Sequence, residues 1–160
     1  MGVVLREQMN IIHFCSGLEG WNGMANTARQ FVNEELAMGY KSCLTNSFEY
    51  VRFVENVDVI CIHGAWLPIL WRVAKLAKQK GVKLYVRPAG SYDPIRLAYH
   101  SWKKRLVSTM EHRMLRKADV LLATCKEEVA WIRAYDPDVK HIEITNLKRF
   151  FYLPTKLSEA

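Results

Sequence analysis

Short apolar runs alternate with longer segments of helical periodicity along this 160-residue chain. The helical segments carry apolar side chains every three to four residues, which predicts helices over residues 23–38, 67–80, 94–117 and 126–134. The short runs predict buried strands, and these are residues 10–15, 41–45, 58–63, 82–87, 119–124 and 141–145. Strands that alternate with helices predict an α/β fold, a Rossmann-like and mainly parallel sheet of about six strands with helices on both faces.

The loops after these strands are rich in Gly, Pro, Trp and polar residues. In an open parallel sheet, ligands bind beyond the carboxyl ends of the strands. The sequence therefore places any binding site on five loops, which are residues 16–23, 46–48, 63–68, 87–94 and 124–127.

The first of these loops, SGLEGWNG, spaces its glycines as GxxGxxG rather than GxGxxG. A dinucleotide site also needs an acidic residue at the end of the second strand, where this chain has residues 44–46, LTN. Nicotinamide and flavin dinucleotides are therefore not expected. Gly23 opens a helix, whose free N–H groups suit a phosphate. A purely structural role, in which Gly17, Gly20 and Gly23 only turn the chain, explains the glycine spacing equally well.

The chain is basic, with a net charge of +7 and a sequence pI near 9.3. Seven cations and a single acid lie within residues 94–117, with aromatic side chains among them. Such a segment suits an anionic membrane surface, although a solvated helix face would look similar. The residues predicted to dock on the membrane are Arg96, Trp102, Lys103, Lys104 and Arg105.

The four cysteines lie in or beside apolar runs and form no CxxC pair, so neither a disulfide framework nor a metal site is predicted. Residues 1–8 are interpreted as an upstream extension or a cloning remnant. Residues 9–151 form the predicted domain, and residues 152–160 begin a linker or tail.

A different class of function also fits the basic charge. The chain would then be a stand-alone α/β module that binds nucleic acid or another anionic partner without catalysis.

Six motifs occur in order along residues 9–151. They are the glycine loop SGLEGWNG, IHGAW after the third strand, RPAGSYDP after the fourth, the helix SWKKRL, the strand KADVLLATCKEE and the final ITNLKRF. Together they resemble the N-terminal half of a GT-B glycosyltransferase of the family 4 type. The chain departs from that pattern at Ala89, where many relatives carry His or Arg.

The resemblance implies an acceptor-binding domain in an enzyme that moves a sugar from a nucleotide-sugar to a lipid-linked or cell-surface glycan, such as a lipopolysaccharide core. It implies no cofactor beyond the nucleotide-sugar co-substrate and no metal. The enzyme would lie in the cytoplasm at the inner face of the membrane, and nucleic acid would not be a partner. The family's second domain, which holds most of the donor site, is not in this sequence, so the chain alone is expected to be inactive.

The resemblance also implies where the substrates bind. The glycine-loop residues Gly20, Asn22 and Gly23 would contact the donor phosphates, and His63 and Asp93 are the candidates for a catalytic role. The acceptor cleft would be lined by His63, Gly64, Trp66, Gly90, Ser91, Tyr92, Thr124 and Glu127.

Overall fold

The computed structural model of the chain describes residues 8–19 and 22–145. The strands in this part are β1 (Asn10–Cys15), β2 (Lys41–Thr45), β3 (Val59–His63), β4 (Lys83–Arg87), β5 (Val120–Ala123) and β6 (Ile142–Ile144). The helices are α1 (Gly23–Ala37), α2 (Phe48–Phe53), α3 (Pro68–Gln79), α4 (Pro94–Ala98), α5 (Ser101–Lys117) and α6 (Lys126–Tyr135). No helix among the described residues has the length and apolar character needed to span a bilayer.

All six strands pair in parallel, in the order β2-β1-β3-β4-β5-β6. The predicted α/β fold with a six-stranded parallel sheet is therefore confirmed. The strand order reverses between β1 and β3, because the chain first moves to one side of β1 and then returns to the other. The carboxyl ends of β1, β3 and β4 meet at this point, with Cys15 beside His63 and His63 beside Arg87.

The two faces of the sheet differ in polarity because alternate side chains point to opposite faces. On one face, Ile60, Ile62 and Val86 pack into the main apolar core with α3, α5 and α6. The other face packs Phe31 of α1 against a smaller core. That face also buries His13, which has no exposed surface. The polar residues of this second face therefore lie between β1, β3, β4 and α1.

The prediction of one continuous helix over residues 94–117 is wrong. Helix α4 ends at Tyr99, which has extended backbone, and His100 takes a left-handed conformation with φ +51°. The His100 carbonyl oxygen then accepts hydrogen bonds from the N–H groups of Lys103 and Lys104, which begins α5. Periodicity did not reveal this break, because apolar residues recur at helical spacing on both sides of it.

Helix α2 was not predicted. Its six residues are too few to show a periodic pattern, and its signal is a cap rather than a period. The Ser47 hydroxyl accepts a hydrogen bond from the Tyr50 N–H over 3.1 Å, as N-cap residues do. Val51 is fully buried in the main apolar core, where α2 contacts α3.

Candidate functional site

The loop after β3 adopts a backbone that ordinary residues avoid. Gly64 has φ +116°, and a Cβ atom there would lie 3.3 Å from side-chain atoms of Met24 and Leu70. Trp66, two residues on, has φ +65° despite its large side chain. Left-handed backbone at a bulky residue persists only where its surroundings enforce it, and such strain concentrates at functional sites.

The neighbouring loop after β4 is strained in the same way. Ala89 has φ +54° and Gly90 has φ +76°. The Gly90 N–H donates to the Glu128 carboxylate over 2.6 Å, which ties the loop to α6. Asp93 ends the loop as the N-cap of α4, where its carboxylate accepts from the Ile95 N–H over 2.8 Å. The structure thus gives this catalytic candidate a capping role.

A buried carboxylate joins these two loops to α5. Glu111 has no exposed surface, and it accepts hydrogen bonds from the Trp66 backbone N–H (3.1 Å), the Trp71 indole N–H (2.6 Å) and the Tyr92 hydroxyl. Burial raises the pKa of Glu111 above its usual value, although these donors act in the opposite direction. The carboxylate therefore fixes the position of both loops.

Aromatic rings continue this arrangement toward α6. The Trp66 ring lies edge-on to the rings of Tyr92 and Tyr135, with centroid distances of 5.8 and 5.5 Å. Tyr92 and Tyr135 stack at 4.8 Å, and His112 stacks on Tyr135 at 4.4 Å. Tyr92 is therefore a buried support for the loops rather than an open contact surface.

A cavity of about 520 Å³ opens beside these loops, and we call it the edge cavity. Its walls are Trp66, Ser91, Ile95, Arg96, Tyr99 and Lys104. The Lys104 ammonium lies 5.6 Å from the centre of the Trp66 ring, and the Trp66 indole N–H donates to the Ser91 carbonyl oxygen over 3.4 Å. Burial lowers the pKa of Lys104. The edge cavity thus combines aromatic surface with two cations.

His63 lies outside the edge cavity, on the α1 face of the sheet. It is only 1% exposed, and its Nε2 atom is 2.8 Å from His13 Nδ1. His13 Nε2 in turn lies 2.9 Å from the Glu35 carboxylate, which also accepts from the Ser42 hydroxyl over 2.5 Å. Burial, followed by the nearby His13 and Arg87, lowers the pKa of His63 well below its usual value. His63 is therefore a neutral imidazole at the end of a buried chain of hydrogen bonds.

Arg87 ends β4 on the same face and is 7% exposed. Within residues 8–19 and 22–145, its guanidinium takes part in no ion pair and its buried Nη1 atom has no hydrogen-bond partner. Burial lowers the pKa of Arg87. An arginine buried without a paired carboxylate is costly to the fold, so this residue calls for a functional explanation.

The end of β5 places two predicted residues at the surface. Thr124 is exposed, and both its N–H and its hydroxyl donate to Glu128 over 2.7 Å. Glu127 is exposed in the first turn of α6. The fully buried Glu128 therefore fixes the backbone at the carboxyl end of β5. Glu127 does not line the edge cavity.

The glycine loop is described in part. Asn22 caps α1, since its side chain accepts from the Met24 N–H (3.0 Å) and donates to the Gly17 carbonyl oxygen (3.1 Å). Gly23 is the exposed first residue of α1. Gly20 lies outside the described residues, as do the end segments 1–7 and 146–160.

The structure brings together part of the predicted site. Trp66, Ser91, Arg96 and Lys104 share the edge cavity, Tyr92 supports it, and His63 lies apart from it on the α1 face of the sheet. The acids Glu35, Glu111 and Glu128 and the base Arg87 were missed. A signal for two of them was present, because Glu111 and Glu35 lie three or four residues from the buried Met114 and Phe31, within the apolar stripes of their helices.

Comparisons with known proteins agree with this fold. A family model described as a glycosyl transferase 4-like domain matches residues 22–146. Among curated proteins none matches the chain. A solved structure, that of a hydroxyethylthiazole kinase protein from Pyrococcus horikoshii OT3, is similar with a TM-score of 0.55 and 15% identity. The match covers 86% of this chain and 56% of that one, so the chain spans little more than half its length. At this identity the likeness shows the fold alone.

Proposed function

The chain belongs to the glycosyl transferase 4-like domain family, and from that premise we propose that it is the acceptor-binding domain of a membrane-associated glycosyltransferase. The full reaction would break the bond between a sugar and its nucleoside diphosphate and form a new bond to an acceptor hydroxyl. The nucleoside diphosphate leaves, and the proton of the acceptor hydroxyl passes to it, directly or through solvent. The donor would bind against the glycine loop, at Asn22 and Gly23, and a second domain would supply the rest of its site.

The edge cavity is the observation that carries this proposal. Aromatic rings are apolar platforms for sugar rings, and Trp66 and the 70% exposed Tyr99 offer two of them. Arg96 and Lys104 on the same walls provide charge for an acidic substituent. The acceptor best suited to this cavity is therefore a phosphorylated or otherwise acidic glycan, such as a lipopolysaccharide core.

Helices α4 and α5 add a surface that suits a membrane. Five apolar side chains are at least 41% exposed along these helices, and they are Ile95, Tyr99, Trp102, Leu106 and Met110. We call them the apolar stripe. On α5 its members are four residues apart, so they share one helix face. The exposed cations Lys103 and Arg105 flank it. An apolar stripe with flanking cations is the arrangement of helices that lie in the plane of an anionic membrane. Docking there would bring the edge cavity to a lipid-borne acceptor at the cytoplasmic face.

The acceptor site can be tested by titrating the chain with a phosphorylated core oligosaccharide and observing tryptophan indole N–H resonances. We expect saturable shifts of the Trp66 resonance, because its N–H donates within the cavity wall. The Trp131 resonance on α6 is the internal control and should not move. The variant Arg96→Gln should weaken binding by about tenfold, the loss expected for one charge-assisted hydrogen bond. Equal shifts of both resonances, or none, would refute the assignment of the acceptor to this cavity.

Membrane docking can be tested by co-sedimentation with anionic vesicles. The double variant Lys103→Glu with Arg105→Glu should bind less than the unchanged chain, and the difference should shrink as salt rises. Lys104 is left unchanged because it donates to the Arg96 carbonyl oxygen and lies over Trp66. The matched control reverses two exposed lysines elsewhere, Lys41 and Lys75. If the unchanged chain ignores vesicles and binds oligonucleotides instead, the alternative of a non-catalytic nucleic-acid module replaces this proposal.

A further inference from the structure

The α1 face holds a buried polar chain that the acceptor site does not use. Hydrogen bonds run from the Ser42 hydroxyl to Glu35, from Glu35 to His13, and from His13 to His63. The side chains of His13 and Glu35 have no exposed surface. Buried polar networks of this kind are costly unless each member is satisfied.

The chain is unsatisfied at its far end. The Nδ1 atom of His63 is buried and has no hydrogen-bond partner in the part of the chain that the structure describes. The buried Nη1 atom of Arg87 is in the same state. These residues are paired in the register of β3 and β4, so their side chains point to the same face on strands about 4.8 Å apart. Two unsatisfied polar groups side by side indicate a missing partner rather than an isolated defect.

A metal ion is a poor candidate for that partner. His13, Cys61 and His63 each offer a ligand atom, and these atoms lie within 4.8 Å of one another. However, His13 Nδ1 and His63 Nε2 are only 2.8 Å apart, a direct hydrogen bond. Two nitrogens on one tetrahedral zinc ion, each about 2.0–2.1 Å from it, would lie about 3.3 Å apart. The neighbouring Arg87 adds a positive charge that further disfavours a cation.

We infer that Arg87 and His63 form a buried subsite for a phosphate group of a substrate, and that the Glu35–His13–His63 chain takes up one proton when that group binds. The inference rests on the proposed function, because it assigns a further substrate contact to the same domain. The phosphate could belong to the sugar donor or to a phosphorylated acceptor. Both sources share the chemistry that the subsite recognises, a compact anion with several acceptor oxygens.

Charge and proton balance support this coupling. In the tautomers that we assign to the free chain, His13 donates from Nε2 to the Glu35 carboxylate and His63 donates from Nε2 to His13 Nδ1. The Nδ1 atom of His63 is then an acceptor, which would repel a phosphate oxygen. One proton from solvent at His63 Nδ1 makes that atom a donor, and the Nε2 proton passes to His13. His13 then becomes an imidazolium beside Glu35, and the ligand meets two donors, the Arg87 N–H and the His63 Nδ1–H.

The charges around the His63 ring are consistent with uptake of a proton only on binding. The titratable and charged groups around it are His13, Cys15, Glu35, Cys61 and Arg87. Glu128 on α6 acts on Arg87, and Arg29 on α1 acts on Cys15. Glu35 and Arg87 balance each other in the free chain. A bound anion adds negative charge, and the proton offsets it.

Calorimetric titration of the chain with inorganic pyrophosphate tests the inference. Repeating the titration in buffers of different ionisation enthalpy counts the protons taken up. We expect saturable binding with an uptake close to one proton, so the affinity should fall by up to tenfold for each unit by which the pH is raised. Titrations with uridine diphosphate and with glucose 6-phosphate identify the substrate that supplies the phosphate. Tighter binding of uridine diphosphate would assign the subsite to the donor, and tighter binding of glucose 6-phosphate would assign it to the acceptor.

Variants separate the two residues. Arg87→Met should weaken pyrophosphate binding by about 30-fold or more, since it removes a charged donor. His63→Gln should abolish the proton uptake while retaining weaker binding through its amide. Arg52→Met, which removes an exposed arginine on α2, is the matched control and should bind normally. Thermal melts of all variants verify folding, and Arg87→Met should melt no lower than the unchanged chain because it removes an unpaired buried charge.

Three results would overturn the inference. They are the absence of pyrophosphate binding by the folded chain, binding that Arg87→Met leaves unchanged, and stoichiometric zinc in the purified chain by elemental analysis. None of these would affect the binding of oligosaccharide at the edge cavity or the binding of vesicles. Failure of this inference can therefore be told apart from failure of the proposed function.

Discussion

The Glu111 carboxylate holds the strained backbone of Trp66 in place, because its Oε2 atom accepts a hydrogen bond from the Trp66 N–H over 3.1 Å. The same oxygen accepts from the Trp71 indole N–H, and the other oxygen accepts from the Tyr92 hydroxyl. One acid on α5 thereby fixes the loops after β3 and β4. Helix α5 also carries part of the apolar stripe. Glu111 therefore connects the surface proposed to meet the membrane directly to the wall of the edge cavity.

Replacing Glu111 should destabilise the fold strongly. Glu111→Leu leaves one buried and two partly buried donors without an acceptor, and each unsatisfied group costs about 1–3 kcal/mol. We expect a loss of about 3–5 kcal/mol in the free energy of unfolding, measured by urea denaturation. Glu111→Gln keeps an acceptor oxygen and should lose less. A loss below 1 kcal/mol for Glu111→Leu would show that the loops hold their position without this residue.

The pH dependence of the Glu111→Gln variant provides a second measurement. Burial raises the pKa of Glu111 in the folded chain, so its protonated form is favoured by folding. The stability that this group contributes is fully present below its unfolded pKa, near 4.3, and is lost as pH rises through the higher folded value. Glutamine does not titrate. The disadvantage of the variant should therefore shrink as pH rises from about 4, and an unchanging difference would contradict the raised pKa.

The parallel sheet could be predicted from sequence because every strand is a short apolar run between helical segments. The break at His100 could not be predicted, since it depends on the left-handed backbone of a single residue. The spacing of apolar residues along the helix does not change there, so the sequence pattern gives no sign of it. The site was predicted at the level of loops rather than side chains. His63 is the last residue of β3, and its side chain points to the α1 face because successive side chains along a strand point to opposite faces. Arg87 was missed because a basic residue at the end of a strand is ordinary until its lack of a partner is visible.

Ala89 offers a site where a smaller residue should stabilise the fold. Its φ of +54° is a left-handed conformation that costs an alanine about 1–2 kcal/mol, whereas glycine adopts it freely. The greater entropy of glycine in the unfolded chain offsets part of this relief, so we expect Ala89→Gly to raise the free energy of unfolding by only about 0.5–1 kcal/mol. Ala130→Gly within α6 is the control and should lower it by about 1 kcal/mol. A destabilised Ala89→Gly variant would mean that the methyl group makes packing contacts that outweigh the strain.

The contacts of the Asp119 carboxylate predict that the folded chain loses stability in acid. Its carboxylate accepts from the Leu84 N–H and from the Lys78 ammonium, both over 2.8 Å, and so joins the starts of β4 and β5. Burial alone would raise the pKa of Asp119, but these two contacts lower it overall. A lowered folded pKa means that the contribution is present above the unfolded value, near 3.9, and is lost as pH falls through the folded value.

We therefore expect Asp119→Asn to cost about 1–2 kcal/mol at pH 7, discounted because the side chain is partly exposed. Urea unfolding at several pH values measures the difference, which should shrink as pH falls below the unfolded pKa near 3.9. The exposed acid Glu55 supplies the control, since a surface substitution such as Glu55→Gln should change the free energy of unfolding by less than about 0.5 kcal/mol at pH 7. A cost for Asp119→Asn that stays constant down to pH 2 would mean that its charge is not the source of the stabilisation.

The apolar stripe should bind membranes by a mechanism that salt does not weaken. Trp102 is 59% exposed and Leu106 is 76% exposed, so the fold does not depend on their side chains. Partial burial of both in the interface would supply about 2 kcal/mol, at roughly 25 cal/mol for each Å² of apolar surface. The double variant Trp102→Ser with Leu106→Ser should therefore sediment with anionic vesicles about 30-fold less well. Unlike the charge-reversal variant, it should keep this defect at high salt, because burial of apolar surface is not screened.

Phe53→Ser with Leu36→Ser removes comparably exposed apolar side chains from α2 and α1 and should bind as the unchanged chain does. If both double variants lose the same binding, the contact is general surface hydrophobicity, and the docking role assigned to α4 and α5 fails.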